Sequence, residues 1–209
     1  ASIAEVRLVR ATLPGAPLCF MHPVKAPSAI REAYRQHGVR TFSLDSVEEL
    51  EKIVEACRDD AGEAAQDLRL CVRLRVSSEY SELSLASKFG CDLTEAPALL
   101  QEARQHADWL GVCFHVGSQA MTPFAYVQAL ERVRIAIGEA SVVIDMIDVG
   151  GGFPSVYPGM EPPPLDLLPD HPPELLQFAD RVQRRAVVRT RPCAVRRIQL
   201  AYRQGREAP

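Results

Sequence analysis

The sequence predicts an α/β fold, a parallel sheet covered by helices. Two observations carry this. Short apolar runs alternate with segments of helical spacing five times between Ala1 and Gly152. The apolar runs are nearly continuous, as in strands buried on both faces. A closed (β/α)8 barrel takes eight strands and about 250 residues. Five units therefore make either a small open doubly wound domain or a slice of a barrel.

The elements follow in order. Ala1 to Arg10 has helical spacing, with Ile3, Val6, Leu8 and Val9 apolar. "LCFM" is a short buried strand. Pro27 to His37 is a helix stopped by Gly38. "VRTFSLD" is a strand. "DSVEELEKIVEAC" is a helix: Ser46 caps it, Glu49 completes a capping box, and Val47, Leu50, Ile53 and Val54 form one face. "LRLCVRLRV" is a long strand. Leu93 to Ala107 is a helix with Pro97 in its first turn. "DWLGVCFHV" is a strand, Pro123 to Ile137 a helix, and "SVVIDMIDV" the last strand.

Composition is that of a globular protein: 209 residues, 47% apolar and 24% charged. The net charge of −3 conceals an asymmetry. From Arg181 onward there are nine arginines and one acidic residue, Glu207, which leaves 15 basic and 26 acidic residues before it. A basic tail on an acidic body suggests either a nucleic-acid arm or a tail not selected with the body. A nucleic-acid module needs aromatic interleaving. Only Tyr202 is aromatic after Phe178, so no nucleic-acid partner is expected. No apolar run approaches the roughly 18 residues of a membrane span, and no membrane partner is expected. The six cysteines show no CxxC spacing. Most sit in apolar runs and read as reduced buried thiols, which points to a cytoplasmic protein. The chain shows no signal peptide and opens at "ASIAEV" without Met, as if cut from something longer.

Ligands of parallel α/β sheets bind at the carboxyl ends of the strands. Three stretches fall there: "MHPVKAP", "FHVGSQ" and "DVGGGFP". Gly150, Gly151 and Gly152 permit unusual dihedrals and let backbone N–H groups approach an anion. They read as a phosphate cradle or a plain turn. His115 at a strand end can stack on a flat ring, exchange a proton or simply be structural. No second ligand stands near it at metal spacing, so no metal is expected. Ser118 is a phosphate donor or a turn former. Together these residues describe a site for a phosphorylated aromatic ligand.

These segments resemble the fold-type III pyridoxal-phosphate decarboxylases, which act on ornithine, arginine, lysine or diaminopimelate. The resemblance rests on "FHVGSQ", "IDVGGGFP", "ASIAEV", "FMHPVK", "SLDSVEELEKI" and "LASKFG", in family order from Ala1 to about Leu165. The GGGFP ending leans towards ornithine-decarboxylase-like members. The resemblance implies a partial, alanine-racemase-like (β/α)8 barrel over residues 1–168, with pyridoxal 5′-phosphate as cofactor. It implies that His115 stacks on the pyridoxal ring, and that Ser118, Gly150, Gly151 and Gly152 hold the phosphate. Arg75 matches an arginine near the cofactor, and Glu5 an acidic residue close to it. The substrate would be a small basic amino acid and the intact enzyme a homodimer.

Parts of the family pattern are missing. Lys25 lies after the ASxxE segment and so reads as a loop lysine. Lys88 matches an interface position, and Lys52 is a solvated helix residue. The Schiff-base lysine is expected upstream of Ala1, so no catalytic set is complete in this chain. The family's C-E-P-G-R segment and its partner-contributed Cys-Asp pair are also absent. Residues 169–209 read as an aberrant basic tail. Codons GTT GTG CGA ACC CGG CCG TGC GCT GTC CGC for Val187 to Arg196, read one base later, spell L-C-E-P-G-R-A-L-S. Arg189, 37 residues after Gly152, then overlies the missing Glu. The expectation is a frameshift between about Asp170 and Val187; the alternative is a basic disordered tail. The chain as written is expected to be inactive and poorly soluble alone. A non-catalytic homologue acting as a decoy partner is the rival reading.

Overall fold

The computed structural model describes residues 2–76, 81–83, 88–120, 122 and 124–151. The expected basic tail and frameshift fall outside these residues. The elements are α1 (Ile3–Thr12), β1 (Cys19–Phe20), α2 (Pro27–His37), β2 (Thr41–Leu44), α3 (Val47–Ala56), β3 (Arg69–Arg73), β4 (Ser81–Leu83), α4 (Ala96–His106), β5 (Trp109–Cys113), β6 (Ser118–Ala120), α5 (Phe124–Ala140) and β7 (Met146–Asp148).

Five strands form one parallel sheet in the order β1-β2-β3-β5-β7. This order decides between the two architectures. A doubly wound sheet reverses its strand order at a switch point. Here each strand lies beside its predecessor in the sheet, which is the winding of a barrel. The pair β4-β6 is antiparallel and stands apart from that sheet. Sequence analysis assigns no strand to either segment, because each is only three residues long.

Alternation along each strand sorts the side chains onto two faces. Phe42, Leu44, Leu70, Val72, Leu110 and Val112 enter the buried core with Ile30, Leu50, Ile53, Leu100 and Val133 of the helices. Ser43, Cys71, Gly111 and Cys113 take the opposite face. Cys71 and Cys113 are buried, yet lie outside the helix-packed core. Cys57 and Cys91 are also buried, whereas Cys19 is exposed. Burial pushes the Cys57 and Cys91 thiols up to about 12, so both stay protonated.

The helix termini follow local chemistry. Ser2 and Glu5 form a reciprocal capping box on α1. Ser46 accepts the Glu49 N–H at 3.3 Å and caps α3. The box expected there is only half made, because the Glu49 side chain is engaged elsewhere. Its carboxylate lies 2.9 Å from the Lys25 ammonium and also pairs with Lys52.

Lys25 sits in the β1–α2 loop as expected, but it is buried (5% exposed). Its ammonium donates to the carbonyls of His22 at 2.8 Å and Ser43 at 2.6 Å. One buried cation thus joins the end of β1, the end of β2 and the start of α3. Burial pulls its pKa down while Glu49 pulls it up. Removing one partner strands the other charge in the interior. Lys25→Met is expected to destabilise the fold by about 3 kcal/mol or more; the midpoint of urea unfolding measures this. A loss under about 1 kcal/mol would show that Lys52 alone satisfies Glu49.

Candidate functional site

Parallel strands end on a common edge, and the loops after them gather there. His22 follows β1, Asp45 follows β2, Leu74 and Arg75 follow β3, His115 follows β5, and Gly150 and Gly151 follow β7.

The His115 imidazole is half-buried, and its Nδ1 accepts the Gly117 N–H at 3.0 Å. That nitrogen therefore carries no proton, and the neutral ring carries it on Nε2. Burial, followed by the charge of Arg73, pushes the pKa below the usual 6.5, with Asp148 pulling the other way. The ring is neutral at neutral pH and offers a flat face and one N–H donor.

Gly150 brings the end of β7 against the end of β5. Its φ is +72°. A Cβ there would lie 2.2 Å from the Phe114 carbonyl oxygen and 3.2 Å from the His115 Cα. Only glycine meets both conditions. The Gly150 N–H donates to Asp148 Oδ1 at 2.8 Å, a local turn at the end of β7. A Cβ on Gly151 would sit 3.7 Å from His115 Nε2, so backbone and imidazole are neighbours. The Tyr126 hydroxyl of α5 donates to the Gly151 carbonyl at 3.2 Å.

Charge of both signs borders this cradle. Arg73, Cys113 and Asp148 lie in register across β3, β5 and β7. The Arg73 guanidinium lies over the Phe89 ring, 5.2 Å from its centroid.

The expected site residues are partly brought together. His115, Gly150 and Gly151 meet. Arg75 does not join them: its guanidinium pairs with Asp92 at 3.0 and 3.1 Å. Arg73 is the arginine within electrostatic reach of His115. The two share one side of the strand by alternation, so spacing does not separate them. The β3–β5 ladder ends at Arg73 and Cys113, and Leu74 then bridges to Cys91. That departure carries Arg75 to Asp92. Glu5 is exposed and spent on the α1 cap, accepting from the Ser2 N–H at 2.5 Å. Those bonds hold its carboxyl below the usual carboxylate range. Ser118 opens β6, and its backbone pairs with Leu83. Gly152 lies outside the described residues. Among the described residues, no three His, Cys, Asp or Glu side chains gather as a metal-ligand set.

A neutral imidazole, a guanidinium and a glycine backbone free of Cβ atoms suit a flat ring that carries an anionic group. The family model for the pyridoxal-binding domain of the pyridoxal-dependent decarboxylases matches residues 1–169. The chain belongs to this family.

Relatives among the pyridoxal-dependent decarboxylases and their homologues agree. Antizyme inhibitor 2 of Mus musculus is 32% identical over 161 residues, covering 75% of this chain and 33% of that protein. Ornithine decarboxylase of Panagrellus redivivus is 34% identical over 164 residues, covering 75% of this chain and 35% of that protein. The crystal structure of lysine/ornithine decarboxylase from Vibrio vulnificus complexed with cadaverine superposes with a TM-score of 0.62. It is 30% identical, over 88% of this chain and 44% of that one. The chain spans about a third of the length of the curated relatives it matches. With the strand order, these likenesses fix the sheet as part of a (β/α)8 barrel of a pyridoxal-phosphate-binding decarboxylase domain.

Two outcomes follow from the geometry. Gly150→Ala meets both a carbonyl and a left-handed φ, and is expected to destabilise the fold by more than about 2 kcal/mol in a denaturant melt. His115 is expected to titrate below 6.5 by NMR, lower still in Asp148→Asn and higher in Arg73→Met. Between its folded pKa and about 6.5 the unfolded chain holds more protons on this residue. Its contribution to stability is therefore complete above that window and falls as the pH drops through it.

Proposed function

We propose that this chain is the cofactor-binding barrel segment of a decarboxylase acting on small basic amino acids, ornithine foremost. The observation that carries the reading is the meeting of a neutral His115 with the Gly150–Gly151 backbone beside Arg73. His115 would face the pyridine ring. Arg73 and the glycine backbone would attract the phosphate, with Ser118 and Gly152 joining them by family resemblance. When bound, pyridoxal phosphate supplies an electron sink for the charge left as CO₂ departs. This chain's residues bind and orient. The imidazole stays uncharged, so it holds the ring by contact and does not compete for the phosphate as a cation. The preference for ornithine rests on the GGGFP ending and on the identity to ornithine decarboxylases. The intact enzyme would be a cytoplasmic homodimer.

A second reading has an observation behind it. Antizyme inhibitor 2 matches as well as the decarboxylases do. Under this reading the chain belongs to a homologue whose work is binding a protein partner rather than turnover. The two readings part at the cofactor. Equilibrium dialysis against pyridoxal 5′-phosphate is expected to show saturable binding, weakened about tenfold or more in His115→Ala at a temperature where circular dichroism shows both chains folded. No binding to the folded wild-type chain would favour the second reading.

A further inference from the structure

Phe89 belongs to no strand or helix, yet its place is over-determined. The chain at Gly90 and Cys91 runs along the end of β3 as a one-residue parallel bridge from Leu74 to Cys91. The Arg75 N–H donates to the Cys91 carbonyl, and the Cys91 N–H to the Arg73 carbonyl, both at 2.9 Å. The Cys91 thiol adds a contact to the Arg73 carbonyl at 3.3 Å. The Gly90 N–H donates to Asp45 Oδ2 at 2.8 Å, which ties the segment to the end of β2. Gly90 has a φ of +100°, and a Cβ there would fall 2.6 Å from the Arg75 nitrogen. Nothing larger than glycine allows so close an approach.

This clamp delivers the half-buried Phe89 ring to the site edge. His22 meets it edge-on, with centroids 5.2 Å apart and planes at 75°. The Arg73 guanidinium lies over it at 5.2 Å. Edge-to-face and cation–π contacts both have preferred geometries. An arginine at a strand end otherwise has several rotamers open to it, at a considerable entropic loss on ordering.

We propose that Phe89 is a positioning residue: its ring, steadied by His22, holds the Arg73 guanidinium at the strand ends where the anionic ligand binds. It touches no ligand itself. The proposal rests on the reading of the site as a pyridoxal-phosphate site.

The experiment uses the whole 209-residue chain. The Arg73 Nε–H proton is recorded by NMR in the wild type, Phe89→Leu and Phe89→Tyr. Pyridoxal 5′-phosphate affinity is measured in parallel by dialysis. In the wild type, the Arg73 proton is expected upfield of those of Arg69 and Arg75 because of the ring current. Phe89→Leu is expected to abolish that shift and weaken binding roughly tenfold, with Phe89→Tyr retaining both. A wild-type Arg73 proton without an upfield shift overturns the proposal without any variant. So does a Phe89→Tyr chain that behaves like Phe89→Leu, which would make the role one of shape alone. If the wild type shows the shift but binds no cofactor, the functional reading fails. The Phe89–Arg73 contact would then stand without the ligand assigned to it, and the proposed role would fall. If the wild type binds and Phe89→Leu binds equally, the functional reading stands and the proposal falls.

Discussion

The site depends on how closely the Gly150 backbone approaches the Phe114 carbonyl. The 2.2 Å that a Cβ would leave makes this a constraint on sequence as well as on shape. It sets the loop after β7 directly against the end of β5. His115 then faces Gly151, and the Tyr126 hydroxyl holds the Gly151 carbonyl from α5. A parallel sheet brings strand ends to one edge but does not decide how tightly neighbouring loops close. Glycine at 150 decides it here, and Gly90 does the same at the end of β3. Each lets one backbone lie against another where a side chain would hold them apart.

Electrostatics follow from this packing. The edge carries Arg73 and Asp148 in one row with Cys113 between them, and a histidine kept neutral chiefly by burial. The guanidinium is held by an aromatic ring, so its charge stays available to a ligand. An arginine paired to a carboxylate, as Arg75 is to Asp92, offers an anion much less. Beneath the edge, Lys25 and Glu49 form a buried ion pair that fastens the β1 loop to α3. It is structural: its ammonium is used up on two carbonyls and a carboxylate.

Much of the fold was legible in the sequence, for identifiable reasons. Continuous apolar runs marked the five parallel strands, because burial on both faces leaves no polar positions. Ser46 and the apolar face of α3 fixed that helix to within a residue or two. Strand lengths were overestimated. "LRLCVRLRV" reads as nine strand residues, but pairing ends at Arg73, where the Leu74–Cys91 bridge takes over. The same event hid the choice between Arg73 and Arg75, since period two puts both on one face. Phe89 was missed because its role arises from a segment that joins β3 only in three dimensions. The β4–β6 pair was missed because its strands are three residues each, too short for a period to stand out. The alternation of elements put His115, Gly150 and Gly151 at strand ends, where the structure brings them together, but their residue types alone left a structural histidine and a plain turn open.

The central claim is that these strand ends form a pyridoxal-phosphate site. The most direct test is backbone-amide NMR of the chain titrated with pyridoxal 5′-phosphate. The account predicts saturable shifts centred on Gly117, Gly150, Gly151 and the amides after Arg73, with the helix-covered side of the sheet unmoved. Shifts centred elsewhere, such as around Tyr34 and Arg58 on the outer surface, or no saturable shifts at all, would contradict it.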